Sequence, residues 1–434
     1  MNSQKLSIPD TTKKRIIIIG GGFAGINLLK NLKHQNFQLV LIDKNNFHTF
    51  QPLLYQVATA GLEPDSIAGP LRKQISGNYE YYFRMASVLD IDPVTKKVLT
   101  DLGEINFDIL IIATGTVSNF YGNKSVEQNA FPLKEVNDAL NLRSHILQNF
   151  EHAVLIDDQE ELEKYMNIVV VGGGPTGVEV AGALGELKRH VLPKDYPELD
   201  FSGMNIYLVE GLEKLLAGMS EKAGTTAVKS LRKFSVNVVL NTMVKEFDGN
   251  RVLLSNENAI ETRTVIWAAG VKGTIFNGIS KESQLKGRIL VDRFNKVRGT
   301  ENIYAVGDIS VMQTQAYPDG HPMLAQVAIQ QGRLLGRNLK RIEKSLNPVP
   351  FEYKDKGSMA TIGRNKAVAD LPGNMHFGGL IAWMIWMFIH LVSIIGFRNK
   401  IVILSNWVWN YFTYDRGTRL IIRKFIPNWE KKSS

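Results

Sequence analysis

The sequence predicts an α/β fold in which two dinucleotide-binding domains of like build follow one another, ahead of a C-terminal helical segment suited to a membrane surface. Three observations carry this reading. A strand–glycine loop–helix–strand–acid unit opens the chain, the same unit recurs after Asn167, and the final stretch turns apolar, tryptophan-rich and basic.

In the first unit, Ile16 to Ile19 is a short β-branched run of the kind buried on both faces of a parallel sheet. Gly20, Gly22 and Gly25 follow as G-x-G-x-x-G. A helical pattern then covers Ala24 to Leu32, and a second strand, Gln38 to Ile42, ends in Asp43. In such a unit the first glycine permits the tight turn and the second lets backbone N–H groups approach a pyrophosphate. The third lets helix and strand pack closely, and the acid accepts from a ribose hydroxyl. The helix N-terminus, with its unpaired N–H groups and positive dipole end, favours the phosphate. Ile109 to Ile112 is the next buried strand, closed by Ala113-Thr114-Gly115.

The second unit repeats this order: Ile168 to Val171, then Gly172, Gly174 and Gly177, then Asn205 to Val209 leading to Glu210, and a closing VIWAAG ending at Gly270. From third motif glycine to closing glycine the first copy spans 90 residues (25 to 115) and the second 93 (177 to 270). Two chance turns would hardly keep that distance, so the chain holds two Rossmann-like domains. Ile303 to Val306 then forms a strand ending in Gly307-Asp308, with a helix from Leu324. This late strand completes the first domain. The expected organisation is 1–120 and 286–372 for the first domain, 121–285 for the second with its core from about 165, and 373–434 for the C-terminal region.

With 434 residues, 44% hydrophobic and 21% charged, the composition is globular. A net charge of +9 points to an anionic partner, either membrane surface or nucleic acid. Zero cysteines exclude disulfides, thiolate metal sites and redox dithiols, and no cluster among the eight histidines has metal-ligand spacing. No metal is expected. The polar N-terminus lacks a signal-peptide core, which predicts a cytoplasmic start.

Gly378 to Phe397 is 20 residues without charge and meets the length for a bilayer-spanning helix. Its flanks argue otherwise. Trp383 and Trp386 lie inside the run rather than at its ends, and five of the six tryptophans fall in this last part of the chain. From residue 398 onward eight Lys and Arg face two acids. The expectation is a helix lying in one leaflet, with a basic tail on anionic headgroups and no nucleic-acid partner.

The motif set Gly20/Gly22/Gly25 with Asp43, Ala113-Thr114-Gly115, Gly172/Gly174/Gly177 and Gly307-Asp308 resembles the two-dinucleotide-domain flavoproteins. A narrower set resembles the type II NADH:quinone oxidoreductases. It comprises Phe47-His48-x-Phe50-Gln51-Pro52-Leu53-Leu54-Tyr55, Gly177-x-Glu179, Ala325-Gln326-x-Ala328-x-Gln330-x-Gly332 and the Trp-rich basic C-terminus. The resemblance covers nearly the whole chain. It implies non-covalent FAD in the first domain and NADH in the second, with electrons passed to a membrane quinone without proton pumping. It also implies a peripheral, monotopic place on the cytoplasmic face of the cell membrane and admits a homodimer. By the same resemblance Gly20, Gly22, Gly25, Asp43, Thr114, Gly115, Gly307 and Asp308 hold FAD, with Gln326 at the flavin edge. Gly172, Gly174, Gly177, Glu179, Glu210 and Gly270 serve NADH. Glu179, Gln326 and Gln330 are the catalytic candidates, the glutamines at the quinone head group.

Each candidate has a plainer reading. Glu179 lies in the first turn of its helix and can act on the helix dipole, although a pyrophosphate beside it makes a carboxylate unwelcome there. Gln326 and Gln330 share a helix face by their spacing of four, and such pairs are often simply solvated. His390, alone in an apolar run, reads as a structural histidine. Glu210 is followed by Gly211 and Leu212, with no arginine for a 2′-phosphate, so NADH is expected over NADPH. The missing cysteines remove disulfide reductases and sulfide:quinone reductases. A soluble NAD(P)H-dependent reductase of a small electron carrier stays open, as does a non-catalytic flavin-binding protein.

Overall fold

The computed structural model describes residues 6–32, 36–75, 80–415 and 417–431. Along the chain come β1 (Lys14–Ile19), α1 (Phe23–Leu32), β2 (Phe37–Asp43), the short α2 (Leu54–Ala58), β3 (Tyr81–Met85) and β4 (Ile109–Ile112). Then follow β5 (Phe131–Pro132), α3 (Val136–Ala153), β6 (Ile168–Val171), α4 (Pro175–His190), β7 (Ile206–Val209), α5 (Glu221–Lys233), β8 (Val236–Val239) and β9 (Thr264–Trp267). The last part holds β10 (Ile303–Ala305), α6 (Ala325–Glu343), β11 (Ser358–Gly363), β12 (Lys366–Leu371), β13 (Met375–Gly378), α7 (Gly379–Ser393) and α8 (Phe397–Thr413).

Contacts divide the described chain into two compact units. One comprises the residues up to His48, Gly69–Val117 and Val271–Asp355. The other comprises Thr49–Ala68, Ser118–Gly270 and the chain from Lys356 onward. These limits depart from the expected ranges: 49–68, 118–120 and 356–372 group with the second nucleotide copy, and 271–285 groups with the first.

The first unit is built on a parallel sheet in the order β10-β4-β1-β2-β3. Ile16 to Ile18 are fully buried, as a strand covered on both faces requires. β10 lies beside β4, so the late segment does complete this sheet. α6 packs along α1, and the fit is backbone-close: a Cβ placed on Gly332 would come within 2.3 Å of the Ala24 carbonyl oxygen.

The second unit repeats the architecture in the order β5-β9-β6-β7-β8. Here the nucleotide helix packs on a strand instead. β11, β12 and β13 form an antiparallel sheet, and α4 lies against β11 so closely that a Cβ on Gly182 would meet the Ile362 carbonyl at 2.0 Å. Ala367 and Ala369 of β12 pack with Ala382 of α7 in a small core of alanines.

The apolar run forms a helix shorter than itself, and a second helix starts at its end. The helix that the run was expected to form stops at Ser393, Ile394 is extended, and Gly396 takes a positive φ of 93° before α8 begins. Glycine adopts that conformation without steric cost. Among the described residues no helix is long and apolar enough to cross a membrane. α7 and α8 instead form a hairpin, with Trp386 and Trp407 rings 5.6 Å apart inside it. The tail also makes contacts within the fold. Trp429 packs against the core of the second sheet beside Phe131 and Phe247, and Arg263 pairs with Glu430 at 2.5 Å. Arg419 pairs with Asp195 at 2.5 Å. Part of the tail, Arg419 among its cations, is therefore used within the fold.

Candidate functional site

In the first copy the Gly loop and the strand-end acid are tied together. Asp43 accepts from the Gly21 N–H at 2.6 Å and from the Asn45 N–H at 2.7 Å. Gly25 has to be glycine, because a Cβ there would sit 1.9 Å from the Gly20 carbonyl oxygen. Gly22 differs: a Cβ on it would meet nothing within 4 Å. That open space stands over the first N–H groups of α1, where a pyrophosphate fits. Two buried polar atoms lack a protein partner nearby, the Thr114 hydroxyl and Nε2 of His48. His48 donates through Nδ1 to the Gly21 carbonyl, 2.9 Å away, and burial lowers its pKa to about 4, so the ring is neutral. This loop, with an orphaned hydroxyl donor, an orphaned ring-nitrogen acceptor and an open cradle, fits a dinucleotide.

Gly307 and Asp308 end β10 in the same unit. Gln331 of α6, almost fully buried, accepts from the Gly307 N–H at 2.7 Å. Ser310 donates to the same oxygen at 3.3 Å, and Arg288 Nε donates to the Asp308 carbonyl at 2.9 Å. Gln331 escaped the sequence reading. Its signal was the third glutamine of the helix falling on the buried face, one residue before Gly332. Gln326 and Gln330 are half-buried on α6. Gln330 uses both ends of its amide on Lys354, donating to its carbonyl at 2.9 Å and accepting from its N–H at 3.0 Å. That is a backbone clasp, and it leaves the shared-face reading of the two glutamines to Gln326.

The second copy reproduces the first. Glu210 accepts from the Gly173 N–H and, at 2.8 Å, from the Leu212 N–H. A Cβ on Gly177 would lie 1.8 Å from the Gly172 carbonyl, while Gly174 is open. Gly270 closes β9 with a φ of 79°, the Tyr121 hydroxyl lying where its Cβ would be.

Glu179 sits two residues past Gly177 and is 7% exposed. Thr361 of β11 donates its N–H to the carboxylate at 3.4 Å. Burial in these surroundings raises the pKa of Glu179 to about 8, and the Thr361 N–H and Trp386 indole only partly oppose it. The Trp386 N–H is turned toward the carboxylate without reaching hydrogen-bond geometry, so Nε1 has no partner. Glu179 is thus a protonated carboxylic acid at neutral pH, a state that a residue compensating a helix dipole would not have.

The acid opens on a cavity of about 110 Å³ within this unit, walled by α2, α4, β11 and the α7–α8 hairpin. Aromatic rings of Tyr55, Trp383, Trp386, Trp407 and Tyr411 make much of its wall. Gln56 ties two of them, accepting from Trp407 Nε1 at 2.9 Å and donating to the Tyr55 hydroxyl at 2.8 Å. Three asparagines of α8 hold the 61–68 segment: Asn399 donates to Ala68 O at 3.0 Å, Asn406 to Glu63 at 2.9 Å and Asn410 to Gly61 O at 3.3 Å. His390 stacks on Trp386 at 4.1 Å and bonds its carbonyl through Nδ1, which bears out the structural reading of this histidine.

Residues 14–332 match the family model described as pyridine nucleotide-disulphide oxidoreductase, and 356–414 match the NDH2 C-terminal domain. The type II NADH:quinone oxidoreductase Ndh of Mycobacterium tuberculosis is 34% identical over 421 residues, covering 93% of this chain and 89% of that protein. The structure of NDH2 from Plasmodium falciparum in complex with NADH superposes with a TM-score of 0.86 at 22% identity, over 95% of this chain and all of that one. The sulfide:quinone oxidoreductase of Aquifex aeolicus shares the fold at a TM-score of 0.69 and 17% identity, covering 92% of this chain and 95% of that one.

Proposed function

We propose, from the premise that this chain belongs to the type II NADH:quinone oxidoreductases, how the work of such an enzyme is divided among its residues. The chain is an FAD-dependent enzyme that oxidises NADH and reduces a quinone. Flavin supplies the electron chemistry when bound; the protein supplies position, electrostatics and protons. In our reading the first glycine loop, Asp43, Thr114, Gly115, Gly307 and Asp308 hold FAD, with Gln326 at the flavin edge. The second loop, Glu210 and Gly270 hold NADH. Gln331 sets the Gly307 turn, and Gln330 acts by positioning the chain at Lys354.

The observation that carries the catalytic part is the buried, protonated Glu179. Quinol formation consumes protons, and an acid with a pKa near the working pH is suited to give one. Glu179 is the proton donor in this reading.

The α7–α8 hairpin is the membrane contact. Its inner face is used by Ala382, Trp386 and Trp407, while Met384, Phe388, Val392, Leu404, Val408 and Phe412 are exposed. Arg398 stands at the turn with its side chain 74% exposed, in an exposed pair with Asp65 at 3.7 Å. A contiguous apolar face beside a cation suits an anionic lipid surface, which we place on the cytoplasmic side of the cell membrane. The same face admits a second copy of the chain.

Stopped-flow measurement on the full-length holoenzyme in liposomes tests the assignment. Gln326→Ala should slow quinol formation and leave flavin reduction by NADH near its normal rate. The pair Phe388→Asp and Phe412→Asp should abolish liposome binding and keep NADH–ferricyanide turnover. If both half-reactions fall together in Gln326→Ala, its role is structural; liposome binding by the double variant would refute the hairpin contact.

A further inference from the structure

Glu179 shares its cavity with a second carboxylate. Glu186 lies seven residues further along α4, hence on the same helix face and about 10 Å away along the axis. Ala183 stands between them, buried, with its small side chain leaving the space open. β11 and the turn after it receive the two acids: Thr361 N–H of β11 faces Glu179, and Arg364 N–H of the turn donates to Glu186 at 2.5 Å. Their exposures differ, since Glu179 is enclosed and Glu186 is half-buried. One carboxylate therefore stands at the closed end of the cavity and the other toward its open end.

The cavity is polar enough for water. Its wall carries Gln56, Thr59 and Asn410 besides the two acids. It also carries the Trp386 indole N–H, a donor on a side chain 2% exposed that no protein acceptor satisfies. A buried donor without a partner calls for an ordered water, and about 110 Å³ holds several. A file of about three hydrogen-bonded waters bridges a gap of this length.

We propose that this cavity is a water-filled proton lane, entered at Glu186, that reprotonates Glu179. The proposal rests on Glu179 as proton donor. The overall reaction, NADH + H⁺ + quinone → NAD⁺ + quinol, moves two electrons and one proton as hydride, and the second proton comes from solvent. When Glu179 has given its proton, the carboxylate is restored from solvent: a proton taken up at Glu186 passes along the waters, one O–H bond forming as the next breaks. One proton is consumed per turnover. The charged and titratable groups facing Glu186 are Arg364 from the β11–β12 turn, Lys366 from β12 and His190 from α4. None of these faces Glu179, whose neighbours are Thr361 and Trp386.

The test uses the full-length holoenzyme in liposomes with a long-tailed quinone, and follows quinol formation across pH. Glu186→Gln should slow that step about tenfold near pH 8.5, where protons are scarce, and less than about twofold near pH 6. Glu186→Asp and added imidazole buffer should both restore the rate. Ala183→Leu, which fills the lane without removing either carboxylate, should reproduce the same pH-dependent loss. Flavin content and NADH–ferricyanide turnover report whether a variant has folded. A slowing equal at all pH values, with no rescue, would make Glu186 structural and overturn the lane. So would unchanged profiles in both Glu186→Gln and Ala183→Leu while Glu179→Gln is slow, an outcome that leaves Glu179 as donor. If Glu179→Gln itself forms quinol at the normal rate, the underlying reading fails and the lane with it.

Discussion

The two glycine loops of this chain are copies, and the helices behind them are not used alike. Each loop has an acid at the end of its second strand, Asp43 or Glu210, accepting from the N–H after the first glycine. Each has a third glycine pressed on the first. Two residues past that glycine the copies part. In α1 the position is Asn27, half-buried, donating to Phe23 O and accepting from Arg333 of α6 at 3.0 Å. In α4 it is Glu179, enclosed and protonated. What differs is the partner packed on the helix. α6 brings polar and cationic groups to α1, whereas β11 and the aromatic hairpin bring almost no compensating charge to α4. The same helix position thus serves structure in one copy and becomes an acid in the other.

The largest effects come from the feature the copies share. Gly25→Ala and Gly177→Ala each drive a Cβ into a backbone carbonyl that has no room to move. Each should cost several kcal/mol locally, of the order of ~3. The readouts separate the copies. Gly25→Ala should lose FAD and the yellow colour, and Gly177→Ala should stay yellow while NADH no longer reduces it. Equal loss of flavin in both would break the assignment of one cofactor to each copy.

The next effect tests where the copies part. Folded Glu179 keeps its proton to about pH 8, whereas an unfolded glutamate releases its own near 4.5. The stability this contributes is complete below the lower value and is lost as pH rises toward the upper one. Its slope is at most about 1.4 kcal/mol per pH unit. Glu179→Gln should flatten that slope in thermal or urea unfolding and slow quinol formation by about a hundredfold. Asn27→Ala should leave the slope in place and cost about 1 kcal/mol. A slope that survives in Glu179→Gln would place the titrating group elsewhere.

The shared feature was legible because glycine spacing and strand-end acids are local chemistry: Gly20, Gly25, Asp43 and their counterparts behave as their pattern implies. The return of Ile303 to Ala305 to the first sheet was legible too, as a further strand ending in Gly307-Asp308 after the second copy. What escaped depends on contacts distant in sequence. Nothing near Glu179 announces that Thr361 and Trp386 will enclose it, and nothing near Trp429 announces that its ring joins a core built from Phe131 and Phe247. Hydropathy ran across Gly396 because averaging over a window conceals a single residue at positive φ. Gln331 was hidden by its neighbours, since three glutamines in one helix carry no sign of which of them is buried.

The smallest effect concerns the two strand-end acids, which look interchangeable and should not be. Both already accept from the glycine loop, so each has a structural use that needs no nucleotide. If that were the whole of it, neutralising either would loosen its loop and do nothing to cofactor choice. A carboxylate beside an adenosine ribose also repels a 2′-phosphate. At Glu210 the following Gly211 and Leu212 supply no cation to offset that repulsion. Glu210→Gln keeps an amide oxygen for one of the two N–H donors and removes the charge. Its kcat/KM for NADPH relative to NADH should therefore rise by about tenfold, which corresponds to roughly 1.4 kcal/mol. Asp43→Asn should leave that ratio unchanged while lowering flavin occupancy, because its copy serves the other nucleotide. Steady-state rates with both nicotinamides on both variants decide the matter. A ratio that moves with Asp43 and not with Glu210 would reverse the assignment of the two loops.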